Sequence, residues 1–340
     1  MNLNPANQLS LYGHHSEFCN FINLYKNKKL PNKILLSGEK GIGKSTLAYH
    51  VINRILSFDE DLSYDEKNFR INPENKSFKL ILNKSNPNFI SIDVDDDKNF
   101  KINPENRSFK LVLNKSNPNF ISIDIDADKK NIDITQIRNL ILTLNKSSFN
   151  SKPRFVLIDN IDLLSVNSVN ALLKILEEPN NNVYFILINS NKRIMPTLKS
   201  RCLDYKIHLT SDESFNITNN ILGENFIDLV DDQIINAYNT PGELLNLLNF
   251  SIENDFDLKE INLKDLIKKI ILEKKYKKNE FIKHLLYSLI ETYFRKNVSV
   301  KNIRLLEIHN YFLKKINNIE IFNLDDETLL IEFEDVVLNG

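Results

Sequence analysis

The clearest chemistry in this chain sits in eight consecutive residues. Gly38-Glu-Lys-Gly41-Ile-Gly43-Lys44-Ser45 fits the spacing G-x-x-x-x-G-K-[ST]. Glycine at these places lets backbone N–H groups close around phosphate oxygens where a side chain would block the approach. A helix opening at this point adds unpaired donors and partial positive charge. Lys44 suits the β- and γ-phosphates, Ser45 suits a magnesium ion, and Thr46 continues the first helical turn. The chain has only 7 glycines, and three of them fall within six residues here. An incidental glycine-rich turn accounts poorly for that clustering. A second candidate is Asp159, which closes the apolar run Arg154–Ile158. A carboxylate at such a strand end can share magnesium with Ser45; the plainer alternative is an Asp capping a turn. Asn160 follows it, and an amide cannot act as a general base. Asn189-Ser190, ending the apolar run Val183–Ile188, could also reach a phosphate.

These groups need a scaffold. Lys33–Ser37 is a short apolar run between Pro31 and Gly38, a helix is expected from about Ser45 to Leu56, and Arg154–Asp159 reads as a buried strand. A helix over Val166–Glu178, stopped by Pro179, leads into a third strand at Val183–Ile188. Continuous apolar strands alternating with helices imply a parallel sheet covered on both faces. Residues 8–30 are expected to be mostly helical, with Phe18, Phe21, Ile22 and Tyr25 at helical spacing. Beyond Leu209, helical periodicity dominates to Glu320. The expected organisation is a nucleotide-binding α/β domain over 1–208, a small helical lid over 209–255 and an all-α oligomerisation domain over 256–340.

One segment is duplicated. Lys67–Asp97 recurs as Lys98–Asp128 with 26 of 31 positions identical. Two copies are too few for a solenoid. Each copy could form two strands around its Asn-Pro turns, and only one can occupy a given place in a sheet. The second copy is expected there because it runs directly into the helix Ile134–Leu144, leaving the first as a surface insertion. The acidic runs Asp93–Asp97 and Asp124–Asp128 lack the glycine and glutamate spacing of a calcium loop and are expected to be solvated.

Composition narrows the class. The 340 residues carry 44 Lys+Arg and 45 Asp+Glu, a net charge of -1, so nucleic-acid binding by bulk positive charge is disfavoured. Lys268–Lys269 and Lys274–Lys278 form a basic stretch, by default a solvated helix face. Two cysteines, Cys19 and Cys202, cannot make a disulfide framework or a four-cysteine zinc site. No stretch approaches the ~18 apolar residues of a spanning helix, and the polar N-terminus has no apolar signal core. A cytoplasmic protein without membrane contact is expected. Asn occurs 50 times, so asparagine positions carry little information.

Three further runs are more specific. Asn170-Ala-Leu-Leu-Lys-Ile-Leu-Glu-Glu-Pro179, the strand to Ile188, and Pro196-Thr-Leu-Lys-Ser-Arg201-Cys202 follow in order. Together with Leu30-Pro31, Leu35-Leu36 and the phosphate loop, they resemble the clamp-loader branch of the AAA+ ATPases over roughly residues 10–250. The resemblance implies an AAA+ P-loop fold with ATP and magnesium as cofactors. It also implies a place beside a gamma/tau motor and a delta subunit in an open ring that loads a sliding clamp onto primed DNA. It implies that Arg201 is an arginine finger given in trans to ATP on a neighbour, a task suited to an always-charged, bidentate guanidinium. It further implies that Asn189 lies in the sensor 1 region and that Tyr12-Gly13-His14 borders adenine. Two departures point to weak turnover or a non-motor role: Asn160 stands where motor subunits carry Glu, and Leu245 stands where the lid carries a sensor 2 arginine. The zinc module's cysteines are missing, so no zinc is expected. The length also fits a non-motor subunit. The competing expectation is an autonomous AAA+ ATPase using Lys44, Ser45 and Asp159 on its own ATP; a P-loop kinase has nothing beyond the loop in its favour.

Overall fold

The computed structural model describes residues 3–82, 89–92, 134–144, 152–178, 182–190, 194–235, 239–277, 280–297, 303–322 and 325–339. The chain divides into two compact units, Met1–Leu209 and Thr210–Gly340.

The first unit is built on a five-stranded sheet of β1 (Lys33–Ser37), β2 (Phe89–Ile92), β3 (Arg154–Ile158), β4 (Val183–Asn189) and β5 (Leu203–Lys206), in the order β2-β3-β4-β1-β5. Every neighbouring pair is parallel, with Leu35 opposite Leu187 and Leu36 opposite Tyr205. The central strands alternate between two cores. Ile34, Leu36, Phe155, Leu157, Ile186 and Ile188 pack on one face with residues of α1 (His15–Lys26) and α2 (Lys44–Leu56). Leu35, Val156, Ile158, Phe185 and Leu187 pack on the other with α4 (Ile134–Leu144) and α5 (Val166–Glu177). Both faces are covered, which is why these strands read as unbroken apolar runs rather than alternating ones. The expected α/β class with a parallel sheet holds.

Two expectations are corrected. The run Lys76–Leu82 of the first copy is a helix, α3, and its Phe78 and Ile81 are buried in the core shared with α2. Strand β2 comes from the first copy, not the second. The first copy is tied to the residues before it. Ser77 bonds Glu60 through both its N–H and its hydroxyl, the Asn75 amide donates to the Leu62 carbonyl, and the Ile71 N–H reaches the Leu9 carbonyl. The near-identical second copy follows these partners at one remove in the chain and lies outside the described residues, as do both acidic runs. Strand β5 is an addition. Its residues are partly exposed and it pairs with β1 on one side, so its sequence lacks the apolar run of a central strand.

The second unit is helical: α7 (Ser211–Leu222), α8 (Pro241–Glu253), α9 (Leu263–Leu272), α10 (Glu280–Asn297), α11 (Ile303–Phe322) and α12 (Glu327–Phe333). Thr210 and Thr240 each close a capping box with the Glu three residues on, satisfying the first-turn N–H groups of α7 and α8. One apolar core runs from Phe226 through Leu266, Leu286 and Phe312 to Leu338. It joins the helices on either side of residue 255. Leu245, on α8, is buried. Among the described residues no helix is long and apolar enough to cross a membrane.

Candidate nucleotide site

The phosphate loop links β1 to α2. Gly41 and Gly43 adopt φ of 88° and 92°, the left-handed region that favours glycine. Gly38 is confined for another reason. A Cβ there would lie 2.4 Å from the Ile207 carbonyl oxygen at the end of β5. The Gly38 N–H donates to the Asn189 carbonyl at 3.3 Å, joining the loop to the end of β4. The loop is braced from below by His14, whose ring Nε2 lies 2.6 Å from the Ile42 carbonyl and whose own φ is 57°. The expected adenine border Tyr12-Gly13-His14 therefore meets the phosphate loop through its histidine.

Lys44 opens α2 and is only 4% exposed. Its ammonium donates to the Gly38 carbonyl at 3.0 Å and to the Glu39 carbonyl. Burial pushes its pKa down to about 8, although Asp159, Asp162 and Glu39 oppose the fall. The Ser45 hydroxyl donates to Asp159 Oδ2 at 2.5 Å. Asp159 also accepts the N–H of Asn160 at 2.8 Å. One edge of Asp159 stays partly exposed. Protein atoms nevertheless crowd its carboxyl, and burial raises its pKa against the pull of Ser45, the Asn160 N–H and Lys44. The two opposite charges thus shift away from the usual ion-pair directions, because the cost of leaving water exceeds their attraction.

Thr46 sits half-buried one residue further along α2, and Asn189 is 6% exposed at the end of β4, opposite Ser37. The fold therefore gathers Gly38, Gly41, Gly43, Lys44, Ser45, Thr46, Asp159 and Asn189 at the carboxyl ends of β1, β3 and β4. These residues fit a nucleotide triphosphate with magnesium on structural grounds. The loop backbone takes left-handed turns at Gly41 and Gly43, a buried cation faces it, and a hydroxyl–carboxylate pair stands beside it. Asp162, in the turn after Asp159, was not singled out from sequence; its spacing of three from Asp159 was the only signal.

Arg201 lies in the turn after α6 (Pro196–Lys199). Its Nε and Nη2 donate to Glu177 Oε1 at 3.1 and 2.5 Å, and its Nη1 donates to the Thr197 carbonyl at 2.9 Å. Glu177, in the last turn of α5, is the partner of Arg201. Cys202 is partly buried, and burial pushes its thiol up to about 11, unsuited to nucleophilic use. In the second unit part of the basic stretch is paired: Lys274 and Lys277 both meet Glu327 at 2.6 Å, and Lys275 pairs with Glu273, while Lys278 lies outside the described residues.

A family model described as "DNA polymerase III, delta subunit" matches residues 13–211, more than half of the chain. The chain belongs to this family. Among individual relatives, the DNA polymerase III subunit gamma of Buchnera aphidicola (subsp. Schizaphis graminum) is 40% identical over 120 residues, 32% of this chain and 33% of that protein. The DNA polymerase III subunit delta' of Buchnera aphidicola (subsp. Baizongia pistaciae) is 42% identical over 62 residues, 18% of each. The chain spans a third of the first relative's length and less than a fifth of the second's. A solved gamma subunit-related protein of Thermotoga maritima aligns over 92% of this chain and 96% of its own, at 17% identity and a TM-score of 0.46.

Proposed function

We propose that this family member is a delta-prime-type clamp-loader subunit of DNA polymerase III. It binds ATP with magnesium, turns it over slowly, and gives Arg201 in trans to ATP on a neighbouring motor subunit. Lys44 and the loop N–H groups hold the phosphates, while Ser45 and Asp159 hold magnesium. Magnesium there would neutralise phosphate charge and draw electron density from the transferred group. The carrying observation is the combination of a formed Ser45–Asp159 pair with an amide, Asn160, where an attacking water would need a base. Binding groups are present and the activating group is missing. Its partners on this reading are the gamma/tau motor, the delta subunit, the sliding clamp, and primed DNA met through the assembly. The test is recovery of the tagged chain from its own cells, with the complex weighed by native mass spectrometry. Recovery with a longer P-loop homologue and another loader subunit supports the reading; a homo-oligomer or a lone monomer overturns it.

One observation favours the second reading, an autonomous ATPase. The match to a gamma subunit extends over 120 residues and that to a delta' subunit over 62. Turnover by the isolated chain separates the two. Robust hydrolysis that rises steeply with chain concentration and falls in Arg201→Ala would select the autonomous enzyme.

A further inference from the structure

We propose that Glu177 is a positioning residue for Arg201: it grips one edge of the guanidinium and leaves the other edge free to meet phosphate oxygens on a neighbouring subunit. This rests on the reading of Arg201 as a donor in trans. A guanidinium has five N–H groups, one on Nε and two on each Nη. Three are engaged here, two by the Glu177 carboxylate and one by the Thr197 carbonyl. Among the described residues, one N–H on Nη1 and one on Nη2 remain to meet an oxyanion.

The mount is rigid where it needs to be. Glu177 ends α5, whose Val169, Leu172 and Leu176 are locked into the core beneath the sheet. The Arg201 backbone is fixed as well, its N–H bonded to the Leu198 carbonyl at 3.2 Å. The guanidinium is therefore held between the end of one helix and the turn after another, rather than left on a free four-bond stem.

Two features bear on what this pair is for. The Arg201 and Glu177 side chains are 32% and 53% exposed, so the pair contributes little to folding. Glu177 also sits in the last turn of its helix, where the dipole disfavours a carboxylate. An acid in a place that is poor for the helix, contributing little stability, has its evident use in orienting the arginine. The grip takes the Nε edge and spares the Nη edge, so Glu177 presents Arg201 rather than sequestering it.

The experiment uses the loader assembled from this chain and its own motor and delta subunits, with clamp and primed DNA. It compares ATP turnover for wild type, Arg201→Ala, Glu177→Ala and Glu177→Gln, with native mass spectrometry confirming equal assembly. Misorientation of a reacting group costs up to about 10²-fold. The expected result is a kcat about tenfold lower in Glu177→Ala, with KM for ATP unchanged. Glu177→Gln keeps the acceptor oxygen and should return kcat to within about threefold of wild type. Wild-type or faster turnover in Glu177→Ala, with Arg201→Ala still impaired, would overturn the positioning role alone. Wild-type turnover in Arg201→Ala would overturn the reading of Arg201 and this inference with it.

Discussion

Nucleotide affinity should fall as pH rises, and the slope can be worked from Lys44. Its ammonium is 4% exposed, and burial lowers its pKa from 10.5 to about 8 despite three nearby carboxylates. Phosphate oxygens at the loop would supply the missing counter-charge and return the pKa towards its ordinary value. Below about pH 8 the ammonium is already charged and binding takes up no proton. Above it, each binding event must protonate Lys44, and the work appears as lost affinity. Between about pH 7 and about pH 9 the protonated fraction of the free site falls about tenfold, so Kd should rise about tenfold, or about 1.4 kcal/mol. The assay is titration with a fluorescent ATP analogue at fixed magnesium. Calorimetry in two buffers of different ionisation enthalpy should count close to one proton taken up near pH 9. Lys44→Arg keeps its charge throughout this range and should lose the pH dependence whatever its absolute affinity. A flat wild-type Kd over this window, with no proton uptake, would refute the claim that burial governs this lysine.

The same burial gives a stability prediction. Lys44 has a folded pKa below its unfolded one, so the native state binds fewer protons between about pH 8 and about pH 10.5, and stability rises with pH across that window. Below it the full penalty applies, at most about 3 kcal/mol. Lys44→Met should therefore be more stable than wild type to urea at neutral pH, with the advantage fading towards pH ~10.5; a less stable variant at neutral pH contradicts this. Gly38→Ala should abolish nucleotide binding and lower stability by about 2 kcal/mol or more, because its Cβ meets a backbone carbonyl at 2.4 Å that cannot yield cheaply. Calorimetry and the same titration check both, and unchanged binding would mean the loop relaxes freely. Deleting residues 98–128 should leave Tm within about 3 °C of wild type, since β2 and α3 both come from the first copy; a large drop would show that the second copy carries essential contacts.

Much of the first unit was legible because its physics is local. Strands β1, β3 and β4 are buried on both faces, so they appear as unbroken apolar runs, and the phosphate loop declares itself through glycines that backbone geometry requires. The resemblance carried the order of the later motifs. What was illegible depends on tertiary context. Strand β5 is half-exposed and reads Leu-Asp-Tyr-Lys, which no periodicity rule separates from a loop. Lys76–Leu82 carries residues that suit helix or strand, and packing of Phe78 and Ile81 against α2 decides the matter. Glu177 and Arg201 lie 24 positions apart and become partners only when α5 and the turn after α6 are brought together. His14 likewise acquires its role under the phosphate loop only through a carbonyl 28 residues away.

The duplicated segment has a consequence for how this protein tolerates mutation. Residues 89–92 and 120–123 are both Phe-Ile-Ser-Ile, so either could in principle offer the same side chains to β3. Threading the first leaves about 30 residues between α2 and the strand and about 60 before β3, and threading the second exchanges the two lengths, so loop entropy is nearly neutral between them. The first is the copy used, with its Ser77, Asn75 and Ile71 bonded to Glu60, Leu62 and Leu9. The margin between the two threadings caps the damage from a lesion in the first: a substitution at Phe78 or Ile81 can cost no more than the change to its spare. The edge of this sheet carries its own genetic insurance.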